Sequence, residues 1–305
     1  VIFLPFLKAL YKKFNSPISL LVKESSKADQ YLFQTNYIDK IIKLERDDKI
    51  NGRHNGFLGS YNLINDLRKY KFDKIFIFNS SLRFNLIARL SKIPEIYQYP
   101  LFKKYEQHIT NVPKKFVKDV INVEINEDPE IQIDNKTVQE VTQKFKIDKN
   151  ELNILLGIGG SGPTKRIPSK TFLEVIDKIL KIKKSKFFLA TGKNAEEQII
   201  LNEILGSKFK NFCFPLDNFL IKETLPIIKN CDFSICNDSS FSHLSAALGI
   251  KTITLMADTP LIYGNYNSKM FPIIPDGEIT VGHDTLGKEK INPQKILNKV
   301  IEILN

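Results

Sequence analysis

Two turns in the second half of this chain carry side chains that could handle a charged ligand. The first is Gly157-Ile158-Gly159-Gly160-Ser161-Gly162-Pro163-Thr164-Lys165-Arg166-Ile167-Pro168. Its glycines let the backbone approach a ligand closely, Ser161 offers a hydroxyl, and Lys165 and Arg166 add fixed positive charge. The second is Asn237-Asp238-Ser239-Ser240-Phe241-Ser242-His243, which runs on through Leu244 to Gly249. There Asp, Ser and His gather where a helix would begin, and a helix N-terminus presents unpaired N–H groups and a positive dipole end. The chemistry this suits is the binding of an anion such as a nucleotide diphosphate. Blander roles compete residue by residue. Asp238 also fits a plain N-cap, His243 a helix residue bonded within the core, and the glycine turn a sharp loop displaying solvated cations.

The elements that must position these turns alternate along the chain. Helical spacing of apolar residues marks 4–14, 57–70, 82–90, 168–182, 195–205, 222–230 and 292–304. Short apolar runs mark strands at 18–22, 38–44, 73–79, 93–97, 152–156, 186–190, 211–214, 232–236 and 251–257. Ile75, Phe76, Ile77 and Phe78 are continuously apolar, as in a strand of a parallel sheet covered on both faces. The polar stretch 125–150, with Pro129, reads as a connection ending in a helix over 136–145. The alternation predicts an α/β chain of two Rossmann-like, doubly wound, parallel-sheet domains facing a cleft, with boundaries at 1–135 and 136–305. The chain opens on Val1 as if in the middle of an element, so further residues are expected upstream, including the first strand and glycine loop of the N-terminal domain.

Composition narrows the field. The 305 residues are 42% hydrophobic and 26% charged, as in globular proteins, and no apolar run approaches a membrane span. No signal-peptide pattern is visible, and a cytoplasmic location is expected. The three cysteines, 213, 231 and 236, form no C-x-x-C pair and are expected to be reduced, buried thiols. The four histidines are scattered without zinc spacing, so no metal site is expected; His54 reads as a packing or surface residue. Net charge is +11, mostly Lys dispersed with Ile and Asn. That excess fits either a basic surface for anionic lipid or phosphorylated substrates, or a compositional habit of the source. The basic pairs lack interleaved aromatic residues, so no nucleic-acid partner is expected.

The glycine turn also satisfies G-x-G-x-x-G, which raises an NAD-dependent oxidoreductase. Pro163 and Pro168 delay the next helix well past Gly162, and the following strand ends Ala190-Thr191-Gly192-Lys193 with no acid for a ribose. Asp177 has the spacing but falls mid-helix. A Walker A loop is excluded, because no Gly-Lys-Ser/Thr occurs there.

Taken together, the two turns resemble motifs of glycosyltransferase family 9, which includes the ADP-heptose:lipopolysaccharide heptosyltransferases. Ser161 to Pro168 is similar to the family's G-x-S-x-x-x-K-R/H-W-P segment. Asn237 to Gly249 is similar to its D-T/S-G-x-x-H-L-A-A-A-L-G segment, and Val1 to Pro5 looks like the residues after the family's first glycine loop. The resemblance covers nearly the whole chain; it is strong over 152–257 and weak over 30–135. It implies a GT-B fold and metal-independent, inverting transfer of a sugar, heptose or related, from a nucleotide-diphosphate donor, ADP-sugar favoured. The acceptor would be the lipopolysaccharide core or another glycan. No cofactor is implied. The implied donor site comprises Gly160, Ser161, Thr164, Lys165, Asp238, Ser239, Ser240 and His243, with Lys165 on the diphosphate. Glu223 is a candidate ribose contact or a plain helix-dipole residue, and His108 falls where the family often has an acceptor-side His. Three positions depart from the pattern: Ser240 stands for Gly, Ile167 for an aromatic residue, and the family's catalytic-base Asp lies upstream of Val1. A monomer with peripheral contact to the cytoplasmic face of the inner membrane is expected. The alternatives are a nucleotide-sugar binding protein without catalysis, an oxidoreductase, and a UDP-sugar epimerase of similar architecture.

Overall fold

Leu4, Leu7 and Leu10 recur at helical spacing, and together with Phe6 they line the buried side of helix α1 (Leu4–Phe14). The computed structural model describes residues 1–46, 52–101 and 109–305. Within them the chain forms two compact units, one of residues 3–29 and 36–127, the other of residues 1–2, 30–35 and 128–305. His108 lies outside the described residues.

In the first unit, β1 (Ile18–Lys23) is followed by the single-turn helix α2 (Ala28–Tyr31), which straddles the two units. β1 pairs in parallel with β2 (Ile38–Leu44). After α3 (Gly56–Arg68), β3 (Lys74–Ile77) pairs in parallel with β4 (Glu95–Gln98) across the intervening α4 (Leu82–Leu90). The continuous apolar run around β3 is covered on both sides. Phe76 and Phe78 join the cluster of α1 and α5 (Asn111–Ile121), whereas Ile75 and Ile77 pack with Ala88 and Ile93. Helix α5 carries a pattern the sequence reading passed over: Pro113, Phe116, Val117 and Ile121 form its buried stripe, and Asn122 ends it in the left-handed region at φ 55°. His54 is a packing residue. Its Nδ1 accepts the Glu45 N–H at 3.0 Å and its Nε2 faces Asp66 at 3.2 Å.

The second unit opens with α6 (Asn135–Lys144), N-capped by Asp134. The polar stretch before it is anchored rather than loose, since Ile131 is buried and its N–H bonds the Ala247 carbonyl at 2.9 Å. There follow β5 (Leu152–Gly157), α7 (Ser169–Ile182), β6 (Ser185–Ala190), α8 (Ala195–Leu205) and β7 (Cys213–Pro215). Then come α9 (Ile221–Lys229), β8 (Phe233–Asn237), α10 (Ser240–Ala247), β9 (Lys251–Leu255), β10 (Met270–Ile273) and α11 (Pro293–Leu304). The six strands form one parallel sheet in the order β10-β9-β8-β5-β6-β7. Strands β5 and β8 are buried along their whole length, which explains their unbroken apolar runs. Phe172, Val175, Ile176 and Ile179 of α7 pack with Ile296 and Val300 of α11 in the central core, while α9 and α10 pack against each other. Strand β10 escaped the sequence reading because Pro272 sits inside it. A proline is tolerated there because β10 is an edge strand, paired only to β9.

All three cysteines are free, with Cys231 and Cys236 buried and Cys213 half-buried. Burial pushes the Cys213 and Cys236 thiols up to about 12 and that of Cys231 up as well.

Candidate functional site

The strand order reverses between β5 and β8. Strands to one side of β5 continue as β6 and β7, and those to the other side of β8 as β9 and β10. Chains leaving the carboxyl ends of two such strands diverge and open a crevice, the usual ligand position in an open α/β sheet. Gly157 pairs with Cys236 across this boundary, so both candidate turns begin side by side. The Asn237 amide then ties them together, donating to the carbonyls of Ile158 at 2.8 Å and Gly159 at 3.3 Å.

The glycine turn is held rigidly. The Gly160 N–H donates to Glu197 Oε1 at 2.6 Å, and its carbonyl accepts from Arg166 Nε at 2.9 Å. Arg166 also pairs with Glu196. The two cations read from the sequence therefore divide their work, with Arg166 fixing the loop and Lys165 reaching the neighbouring turn. Glycine is needed on both loops that surround the Glu197 carboxylate. A Cβ at Gly159 would come within 2.6 Å of Oε1, and one at Gly192 within 2.2 Å of Oε2. Beyond the glycines a short 3-10 turn (Pro163–Lys165) intervenes before α7 begins at Ser169. The third glycine of the apparent dinucleotide fingerprint thus lies outside any helix, and Asp177 is spent on ion pairs with Lys181 and Lys208.

Lys165 Nζ donates to Asp238 Oδ2 at 2.8 Å, and His243 Nε2 lies 3.9 Å from Asp238 Oδ1. The structure thus gathers Lys165, Asp238 and His243 into one cluster, with Asp238 only 6% exposed. Ser239 is the N-cap of α10, yet its side chain makes no cap bond, and its Oγ is a buried hydroxyl with no partner among the described residues. That orphaned hydroxyl and the first N–H groups of α10 are donors waiting for an acceptor. Ser240, first residue of α10, is exposed, as is Ser161; Thr164 instead hydrogen-bonds Asp258. Burial alone would raise the Asp258 carboxyl, but hydrogen bonds from the Leu286 N–H and Thr164 hold it below the usual range. Glu223 is exposed and accepts the Leu220 N–H at 2.7 Å, so its observed part is to cap α9. Ile167, which stands where the resembled motif has an aromatic residue, is fully buried in the core.

Sequence reasoning overlooked four residues. Glu197 stands three residues after Asn194, which reads as an ordinary capping box; Asn194 does cap α8, but the carboxylate turns to the glycine loop instead. Lys288 reaches the Pro163 carbonyl at 3.2 Å, and Asp258 supports Thr164 from after β9. Tyr266 stacks on His243, ring centroids 5.6 Å apart, with its hydroxyl 2.8 Å from Nδ1. No local pattern announces the last three.

Burial pushes the His243 imidazole well below its ordinary range; Asp238 opposes this, and Lys165 reinforces it. Burial raises the Tyr266 phenol, which stays protonated; the Asp238 carboxylate facing Nε2 favours the Nε2–H tautomer, in which Nδ1 accepts from the phenol. A depressed histidine adds stability above its unfolded value that is lost as pH falls. The unfolded chain takes up the proton from about pH 6.5 downward, while the folded chain resists it. His243→Gln is therefore expected to flatten the stability loss between about pH 6.5 and 5, by on the order of 1 kcal/mol relative to the parent. Urea unfolding of both proteins across that range checks this, and parallel curves would refute it.

Comparison with known proteins bears on the family and the fold. The family described as glycosyltransferase family 9 (heptosyltransferase) matches residues 97–271. Lipopolysaccharide heptosyltransferase 1 of Campylobacter coli is 30% identical over 150 residues, which is 48% of this chain and 43% of that protein. Lipooligosaccharide heptosyltransferase 2 of Campylobacter jejuni is 27% identical over 271 residues, 84% of this chain and 81% of that one. The structure of E. coli heptosyltransferase WaaC with ADP superposes with a TM-score of 0.70 at 13% identity, covering 98% of this chain and 94% of that one. That likeness is one of fold, the two-domain GT-B architecture.

Proposed function

This chain belongs to glycosyltransferase family 9, the heptosyltransferases, and on that premise we propose that it moves a heptose or related sugar from a nucleotide-diphosphate donor, ADP-sugar favoured, to a glycan of the lipopolysaccharide core. The observation that carries this reading is Lys165, ion-paired to Asp238 just before α10, together with the unpartnered hydroxyl of Ser239, the N-cap of that helix. The unit of residues 128–305 holds the donor; the unit of residues 3–29 and 36–127 serves the acceptor.

Glycosyl transfer builds negative charge on the departing diphosphate. Lys165 supplies a cation, and α10 supplies N–H dipoles aimed along the sheet's carboxyl edge, both fixed before reaction. Because Gly160 is pinned through its N–H and its carbonyl, no loop reorganisation is needed as that charge develops. Asp238 holds the ammonium in place, Ser239 and Ser161 add hydroxyl donors, and His243, neutral at pH 7, donates from Nε2–H without adding charge. Thr164 and Ser240 complete the phosphate side, and Glu223 is kept as a ribose contact only if it can leave its cap. The reading extends to a protein that works as a monomer at the cytoplasmic face of the inner membrane, without a cofactor. No helix among the described residues is long and apolar enough to cross a membrane.

The ADP bound in the WaaC structure favours adenine. A thermal-shift panel of nucleoside diphosphates tests this. ADP is expected to stabilise the chain well above GDP, UDP and CDP, following the ratio of ligand to dissociation constant. Transfer from ADP-heptose to a heptose-deficient core acceptor tests the enzyme. A flat panel would remove the donor site, and an ADP response without transfer would leave a binding protein.

A further inference from the structure

We propose that the outer face of α3 and α4 is a docking surface for an anionic phospholipid bilayer. The proposal rests on the glycolipid-acceptor reading above and gives it a surface. The two helices run side by side in the same direction. Near their N-termini Arg83 donates to the Ser60 hydroxyl at 2.9 Å and the His54 carbonyl at 2.6 Å. At the other end Arg68 donates to the Leu90 carbonyl at 2.7 Å. Ser60, Ile64 and Arg68 therefore form the ridge of α3 that meets Arg83, Ile87 and Ser91.

One residue is about 100° of helical rotation. The column after the α3 ridge holds Phe57 and Tyr61, and the column before the α4 ridge holds Leu82, Leu86 and Leu90. In parallel neighbours these two rotations lead to the same side, and that side is solvent. The buried residues confirm the sense, because Leu63 and Leu67 of α3 and Ala88 of α4 lie on the opposite side. Phe57 is 93% exposed, Leu58 79%, Tyr61 60%, Leu90 55%, Leu86 49% and Leu82 42%. All but Leu58 lie in the two columns, and five large apolar side chains on one two-helix face exceed the scattered exposure that surfaces normally carry.

The charge around this face selects the occupant. Residues 52–92 contain eight Lys or Arg and two Asp. One of the two, Asp66, is already paired with Arg53 and Lys69. Arg89 and Lys92 flank Leu90, and both are exposed. Burial, and after it the like charge of Arg46, lowers the Arg83 guanidinium, which places another cation beside the N-terminal end of the face. A protein partner would favour a rim of mixed sign. An apolar stripe of Phe, Tyr and Leu bordered by an excess of cations is the pattern of helices that lie in the headgroup region of acidic bilayers.

Vesicle flotation of the full chain tests this, using phosphatidylglycerol and phosphatidylcholine in roughly equal parts against phosphatidylcholine alone. The chain is expected to float with the mixed vesicles, to stay behind with the neutral ones, and to be released by high salt. Phe57→Ser combined with Leu86→Ser is expected to cut the bound fraction about ten-fold, since two inserted side chains are lost. Ile279→Ser, which removes a lone apolar residue exposed to 96% elsewhere, leaves binding unchanged. The ADP-dependent thermal shift should be the same in all three proteins, which shows that each is folded. Failure of the parent chain to float, or equal flotation of the double variant, overturns the proposal. So does a concentration-dependent dimer that the double variant abolishes, because the face would then belong to a second copy. If flotation holds while no protein responds to ADP, the donor reading fails and the docking surface stands.

Discussion

Lys165→Ala is expected to abolish the ADP response and to lower transfer by about 10²- to 10³-fold, the usual cost of removing one preorganised group that stabilises charge in the transition state. The loss includes more than one missing cation. Asp238 is 6% exposed and faces Lys165 Nζ at 2.8 Å. Deleting the ammonium leaves a buried carboxylate uncompensated at the place where a diphosphate would sit, so the site changes from attracting anions to repelling them. The two residues therefore couple. Asp238→Asn added to Lys165→Ala is expected to recover part of the nucleotide binding but little of the transfer, because the repulsion is relieved and the leaving-group cation is still missing. Thermal shift and a transfer assay on the two single variants and the double variant measure this directly. An unchanged ADP shift in Lys165→Ala would remove Lys165 from the site.

Glu197→Ala carries the second large effect, and it acts on the loop rather than on the ligand. Its carboxylate is 7% exposed and accepts the Gly160 N–H while meeting the Asn194 amide. Removing it leaves the buried Gly160 N–H unpaired, at a cost of about 1–3 kcal/mol, while the exposed Asn194 amide can turn to water. Stability is expected to drop by roughly 2 kcal/mol, which in a protein of this size lowers the melting temperature by a few degrees. The apparent affinity for ADP should fall with it, because the glycine turn loses its fixed shape. Gly192→Ala is expected to reproduce both effects by displacing the carboxylate, since its Cβ would stand 2.2 Å from Glu197 Oε2. Thermal unfolding with and without ADP checks the pair. A stable Gly192→Ala protein with normal ADP affinity would show that the loop does not depend on this support.

Much of the second unit could be read from residue order because its signals are local. The buried runs of β5 and β8, the proline just before α7 and the small residues after Asp238 each identify their own element. The two turns could be paired because together they resemble two motifs of one family; the reversal of strand order that brings them side by side appears only in the fold. What stayed hidden depends on neighbours far along the chain. Tyr266 reaches His243 from 23 residues away, and Lys288 reaches Pro163 from 125 away, with no spacing rule linking them. Strand β10 was masked by Pro272, whose meaning changes once β10 is known to be an edge. Leu82, Leu86 and Leu90 recur every four residues like a core stripe, yet the structure turns that stripe outward. Periodicity shows that a helix has an apolar face; only its packing shows whether the protein itself covers that face.

The shielded sulfurs of Cys213, Cys231 and Cys236 have a practical consequence. With all three held far from the thiolate form at neutral pH, maleimide reagents will pass over the native chain. Leu86→Cys would then be the one position they modify, so an environment-sensitive fluorophore could be attached there without first stripping the protein of its own sulfur chemistry.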